Sequence, residues 1–187
     1  MDKAALRKRY RQKRNDLPPS QIKTLQRKLE QQFSSFDLSS ISVIHVFLPI
    51  TKQAEVNTWP LIESLWAGQK TVVTSTTDFD TMIMRHWRIE ANTSYQNNNY
   101  GIPEPIAQDE VLSNQIDMVL VPLLSFDTYG HRVGYGQGFY DRFLASCRDD
   151  CRFVGLSYFE VGPKIEGLSE HDIRLDQCIT PKEVYNF

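Results

Sequence analysis

Four short runs with apolar centres constrain this chain most: ISVIHVFLPI (41–50), KTVVTS (70–75), IDMVLVPLLSFD (116–127) and CRFVGLSY (151–158). None approaches the roughly 20 residues of a membrane-spanning helix. The first is β-branched and nearly all apolar, and polar, helix-compatible stretches lie between the runs. Such runs read as strands buried on both faces, the pattern of a parallel sheet covered by helices. Between the first two lie a polar loop, 51–57, and a helix beginning at Thr58, whose hydroxyl is the expected N-cap, and ending at Ala67 before Gly68. Strand, helix, strand is a right-handed crossover unit.

The rest of the chain extends this outline. MIMRHWRI (82–89) alternates and suits an exposed or edge strand, whereas SYQNNNYGIPEP (94–105) reads as a loop. A helix is expected from Gly138 to Ala145, and LDQCIT (175–180) is a candidate fifth strand. The expected fold is one α/β domain over residues 1–187, a mostly parallel, helix-flanked, Rossmann-like three-layer sheet with ligands at the carboxyl ends of its strands.

Charge is distributed unevenly. The net charge of −2 offers no global attraction for nucleic acid or a membrane surface. Residues 1–14, however, hold Lys3, Arg7, Lys8, Arg9, Arg11, Lys13 and Arg14 against Asp2 alone. A helix is expected over 3–15, stopping before Pro18-Pro19, with a second from Pro19 to about Phe36. The first has so thin an apolar stripe that it is either solvated or faces an anion. The three cysteines, Cys147, Cys151 and Cys178, form no CxxC pair and suit thiols in a reducing cytosol. A cytoplasmic monomer acting on small molecules is the expectation.

The chemistry concentrates in FDTYGHRVGYGQGFYDR (126–142), where a strand is followed by a turn and then by GxGxG opening a helix. Gly134, Gly136 and Gly138 remove Cβ atoms where a backbone must approach a ligand, and the amides they expose suit phosphate. Arg132 and Arg142 add cationic donors, while Tyr135, Phe139 and Tyr140 offer flat surfaces for a planar ring. Neither the GxxxxGK[ST] phosphate loop nor the dinucleotide fingerprint is present. On the glycines alone, a structural turn is an equal reading.

The stretch VPLLSFDTYGHRVGYGQGFYDRFL resembles the signature of the 5-formyltetrahydrofolate cyclo-ligase family, roughly P-x-x-x-F-D-x-x-G-x-R-L-G-x-G-x-G-Y-Y-D-R. KAALR is similar to that family's opening phosphate-binding helix, AEVNT to its E-x-x-T segment, GIPEP to its loop before the signature, and EHDIRLD to its C-terminal acidic motif. The resemblance implies an α/β fold and ATP- and magnesium-dependent cyclisation of 5-formyltetrahydrofolate to 5,10-methenyltetrahydrofolate through a phosphorylated formyl group. It implies that Lys3 and Arg7 reach the ATP phosphates, that Arg132 and Gly134 through Tyr140 (Tyr135, Gly136, Gln137, Gly138 and Phe139 among them) wrap the nucleotide, and that Arg132 and Tyr140 serve catalysis. Asp141 and Asp172 would hold magnesium. Leu48 and Glu55 would line the folate pocket, with Tyr135 and Tyr140 where folate and γ-phosphate meet. Val133, Phe139, Gln137 and Thr74-Ser75 depart from the family pattern. Two other classes stay open at this point: an ATP- or phosphosugar-binding enzyme of different specificity, and a non-enzymatic nucleotide-binding module.

Overall fold

The computed structural model describes residues 1–106 and 109–187. The chain runs through α1 (Lys3–Asn15), α2 (Pro19–Ser34), β1 (Val43–His45), α3 (Trp59–Ala67), β2 (Thr71–Asp78), β3 (Ile83–Ile89), β4 (Ser94–Asn97), β5 (Pro103–Ile106), β6 (Met118–Pro122), β7 (Ser125–Phe126), β8 (Arg132–Val133), α4 (Phe139–Ala145), β9 (Arg152–Leu156), β10 (Gln177–Ile179) and β11 (Val184–Asn186). Seven strands form the main sheet in the order β11-β10-β9-β6-β1-β2-β3. The inner pairs β10/β9, β9/β6, β6/β1 and β1/β2 are parallel. Both edges are closed by antiparallel strands, β3 on β2 and β11 on β10.

Alternation along each buried strand divides the core between two faces. Ile44, Val72, Met118, Leu120 and Val154 pack with Leu29 and Phe33 of α2 and Leu61, Ile62 and Leu65 of α3. Val73, Val119 and Val121 point the other way, towards Phe143 and Leu144 of α4. Each fully buried aliphatic side chain contributes about 1.5–3 kcal/mol, so both faces of these strands must be covered. Helix α1 packs elsewhere, with Leu6 and Tyr10 against Leu124, Val133 and Ile165 over the β7–β8 hairpin.

The structure differs from the sequence expectations at several points. The first apolar run is a strand only over Val43–His45. Beyond it the chain leaves the ladder at Phe47–Ile50, where Pro49 has no amide to donate. Thr58 does not cap α3 with its side chain; its hydroxyl donates to the Phe47 carbonyl at 2.6 Å and pins that departing segment. The run 116–127 breaks after Pro122 into the β7–β8 hairpin, with Leu123 and Leu124 buried as core rather than as strand. The expected loop 94–105 is a β4–β5 hairpin, stitched to β2 because Glu104 accepts from the Thr77 amide (2.9 Å) and the Asn98 side chain (3.0 Å). Gly138 is the N-cap of α4, not its first residue. No helix among the described residues is long and apolar enough to cross a membrane.

Candidate active site

Strand order places the cleft. From β1 the sheet grows to β2 in one direction and to β6, β9 and β10 in the other. The connections leaving β1 and β6 therefore part above their carboxyl ends, where open α/β sheets bind ligands. A cleft of about 1010 Å³ opens there, lined by α1, the β1–α3 loop, β2, the glycine-rich turn, α4 and residues 169–173. Every candidate residue named from the sequence lines this one cleft.

Helix α1 supplies one wall. Lys3 and Arg7 lie four residues apart and share a face. Arg7 Nε donates to the Gly134 carbonyl at 3.1 Å, pressing its guanidinium against the turn. Gly136 has φ of 101°, and a Cβ there would stand 3.0 Å from Arg7 Cζ, so only glycine fits. Gly138, with φ of 71°, turns the chain into α4. The Gln137 side chain is exposed and its carbonyl accepts from Arg142 Nη2 at 2.9 Å. Arg142 also lies over the Phe139 ring, 5.4 Å from its centroid.

A second wall holds two ion pairs. Arg132 Nη2 donates to Asp141 Oδ1 at 2.8 Å, and Nη1 donates to the Ile173 carbonyl. The Ile173 amide returns to Asp141 Oδ1 at 3.2 Å, so Asp141 and the residue after Asp172 are direct neighbours. Asp172 pairs with Lys3 and accepts from the Ser169 amide at 2.6 Å. Burial opposes ionisation of Asp172, but Lys3 and the Ser169 amide outweigh it and hold its carboxyl below the usual range. The Arg132 guanidinium is buried, which lowers its pKa against the opposing pull of Asp141 and Asp172. Two neighbouring, partly exposed carboxylates supply oxygen donors of the kind magnesium takes when it is also held by phosphate and water. The donor set fits that ion.

The third wall is a buried polar knot. Glu55 accepts from the Ile50 amide at 2.7 Å and from the Tyr135 hydroxyl. Tyr135 in turn accepts from Arg14 Nη1 at 3.0 Å, and Arg14 Nη2 donates to the Leu123 carbonyl at 2.6 Å. Burial raises the Glu55 pKa, opposed by the Ile50 amide, Tyr135 and Arg14. Burial, with the nearby Glu55 charge, raises both the Tyr135 and Tyr140 phenols, which therefore keep their protons at neutral pH. Leu48, 6% exposed, supplies apolar surface beside them.

Several residues were given only a bland reading in the sequence. Arg14 is 6% exposed rather than solvated, and Arg11 also lines the cleft, its guanidinium 5.5 Å from the Tyr135 ring centroid. Lys3, Arg7, Arg11 and Arg14 recur at helical spacing on one face of α1, a signal the sequence does carry. His45 is fully buried, and its Nδ1 has no partner among the described residues. His86 joins it through Ser75. Trp87 donates to Thr76 Oγ1 at 2.9 Å and does not line the cleft. Asp127 is fully buried and accepts from the amides of Tyr129, His131 and Ile165, so it organises the turn rather than facing the cleft.

Fold and cleft together define an α/β protein with a crevice at its switch point, walled by cations on one side and lined by aromatic rings. The sequence matches the 5-formyltetrahydrofolate cyclo-ligase family over residues 1–181. It is 28% identical over 183 residues to the 5-formyltetrahydrofolate cyclo-ligase of Escherichia coli (strain K12), covering 95% of this chain and 99% of that one. The 5,10-methenyltetrahydrofolate synthetase structure from Mycoplasma pneumoniae superposes with a TM-score of 0.79 at 27% identity, covering 97% of this chain and all (100%) of the other. That from Aquifex aeolicus gives 0.81 at 26% identity, covering 98% and 92%. The chain belongs to the 5-formyltetrahydrofolate cyclo-ligase family.

Proposed function

We propose that this protein converts 5-formyltetrahydrofolate to 5,10-methenyltetrahydrofolate, consuming ATP and releasing ADP and phosphate. The observation that carries the reading is the convergence, in one cleft, of paired cations and carboxylates on one side and the neutral phenol–carboxylate knot on the other. An N-formyl group is a poor electrophile. Transfer of the γ-phosphoryl group to its oxygen makes that oxygen a leaving group. Nitrogen 10 then attacks the formyl carbon, loses its proton, and phosphate departs with the original formyl oxygen.

Such chemistry needs positioning and charge neutralisation more than covalent participation by the protein. Lys3 and Arg7, fixed against Asp172 and the Gly134 carbonyl, meet the phosphates, and the turn from Gly134 to Gly138 lets the nucleotide approach the backbone. Arg132 lies between the two carboxylates and balances negative charge as the phosphoryl group moves. Asp141 and Asp172 would hold magnesium, whose charge would offset that of the ATP phosphates. Glu55 and Leu48 receive the folate ring. Tyr140, held protonated, acts as a hydrogen-bond donor where the two substrates meet, while Tyr135, whose proton goes to Glu55, offers its ring there.

The test is direct. The protein is mixed with 5-formyltetrahydrofolate, ATP and magnesium, and the near-ultraviolet absorbance of the methenyl product is followed, with omission of ATP or of magnesium as controls. Product forms only with all three; folded protein that yields none refutes the reading.

A further inference from the structure

Three polar side chains on three adjacent strands line up across the sheet, on the face that α4 covers. His45 closes β1, Ser75 lies on β2, and His86 stands opposite Ser75 in the β2–β3 ladder. His45 Nε2 is 2.7 Å from Ser75 Oγ, which is 2.8 Å from His86 Nδ1. Phe143 of α4 stacks on His86 at 4.0 Å and meets the His45 ring edge-on at 4.8 Å.

Hydrogen-bond accounting limits this chain to two states. A hydroxyl gives one proton, so Ser75 donates to one imidazole and accepts from the other. If it donates to His86, then His45 carries its proton on Nε2 and offers Nδ1 as an acceptor. If it donates to His45, then His45 Nδ1 bears the proton and is a donor. Burial, with the neighbouring His86 adding to it, keeps His45 neutral, and burial lowers His86 to about 4, so both states are uncharged at neutral pH. In both, one atom is left over. His45 Nδ1 is buried and has no partner among the described residues.

A polar chain serving only to fill the core would end on protein at both ends, because an orphaned buried nitrogen costs stability. This one ends at a residue that lines the cleft, beside Thr74, Ser75 and Met84. The Tyr140 ring lies 6.0 Å from His45 and within the field of Glu55, so His45 belongs to the same compartment. Resting on the cyclo-ligase reading, we propose that His45 Nδ1 hydrogen-bonds the polar edge of the bound folate's fused heterocycle, and that Ser75 and His86 set whether it gives or takes that proton. The ligand class is a bicyclic, amide-bearing ring, and His45 is a substrate-binding residue positioned by the other two.

Two variants separate a contact with substrate from a contact with Ser75. An asparagine amide reaches the place of Nδ1, and a glutamine amide that of Nε2. KM for 5-formyltetrahydrofolate rises about 10-fold in His45→Gln and less than about 3-fold in His45→Asn, with kcat held in both, as expected for one lost neutral hydrogen bond. Equal KM values, or the reverse order, overturn the proposal. A second measurement needs no variant. In protein labelled with nitrogen-15 at its four histidines, adding 5-formyltetrahydrofolate without ATP shifts the His45 Nδ1 resonance, and an unmoved resonance at saturating folate overturns the proposal. Failure of the wild-type protein to form methenyl product refutes the cyclo-ligase reading instead.

Discussion

Consider Tyr135→Phe, which deletes one oxygen and leaves the ring against Arg11. That oxygen donates to Glu55 and accepts from Arg14 Nη1 at 3.0 Å. Arg14 keeps the Leu123 carbonyl at 2.6 Å, so its charge remains satisfied and the cost falls on Glu55. A hydrogen bond to an ionised buried group contributes about 1.5–3 kcal/mol, so the variant loses about 2 kcal/mol once Glu55 is ionised. For a chain of this size that lowers Tm by about 4–8 °C.

The pH dependence makes the argument specific. Burial raises the folded-state pKa of Glu55 above 4.5, so between 4.5 and that value the native state holds more protons than the unfolded chain. Stability is therefore lost as pH rises through that window, and the deficit persists above it. Removing the Tyr135 donor raises the folded-state pKa further and deepens the deficit. Well below pH 4.5 Glu55 is protonated in both states, and the variant differs from wild type only by a neutral hydrogen bond, about 1 kcal/mol. Urea denaturation followed by tryptophan fluorescence at about pH 3.5 and pH 8 measures both. A difference that is constant with pH, or larger in acid, refutes the account of Glu55.

Other substitutions probe the remaining walls. Gly136→Ala forces a Cβ to within 3.0 Å of the Arg7 guanidinium at φ of 101°; KM for ATP rises, and stability falls by about 1–3 kcal/mol, read by steady-state kinetics and thermal melting. Asp141→Asn depresses turnover while circular dichroism shows the fold intact; unaltered magnesium-dependent activity refutes the metal role. His86 is held at about 4 against 6.5 unfolded, so the native state binds fewer protons and stability falls as pH drops from 6.5 towards 4. That loss is about 2 kcal/mol by pH 5. His86→Leu flattens the slope in urea titrations across the window.

The central strands were legible because burial on both faces forces continuous apolar runs, and the glycine turn because a ring of small residues beside cations has few structural uses. Ile44, Val72 and Val154 announce themselves in this way. Other elements carried no such mark. The β4–β5 hairpin depends on Glu104, which ties it to Thr77 of β2, 27 residues away, and a lone glutamate between prolines gives no hint of that contact. Arg14 sits in a run of basic residues whose composition suggests solvent, and only its register with Lys3 and Arg7 on α1 separates it from Arg9 and Lys13. The pairing of His45 with His86 follows from the β2–β3 register, which no local pattern specifies. Local periodicity reports burial, whereas the site is made by contacts between segments far apart in the chain.

One such contact joins Lys3 to Asp172, across 169 residues. Helix α1 is made before the elements it packs on and has little to bury on its own, since its apolar contacts lie on the β7–β8 hairpin and near Ile165. During synthesis it must wait, basic and unpaired, until almost the whole sheet has emerged. The cation wall of the cleft is therefore assembled late, and a chain interrupted before Asp172 keeps most of its strands but lacks an acidic partner for Lys3.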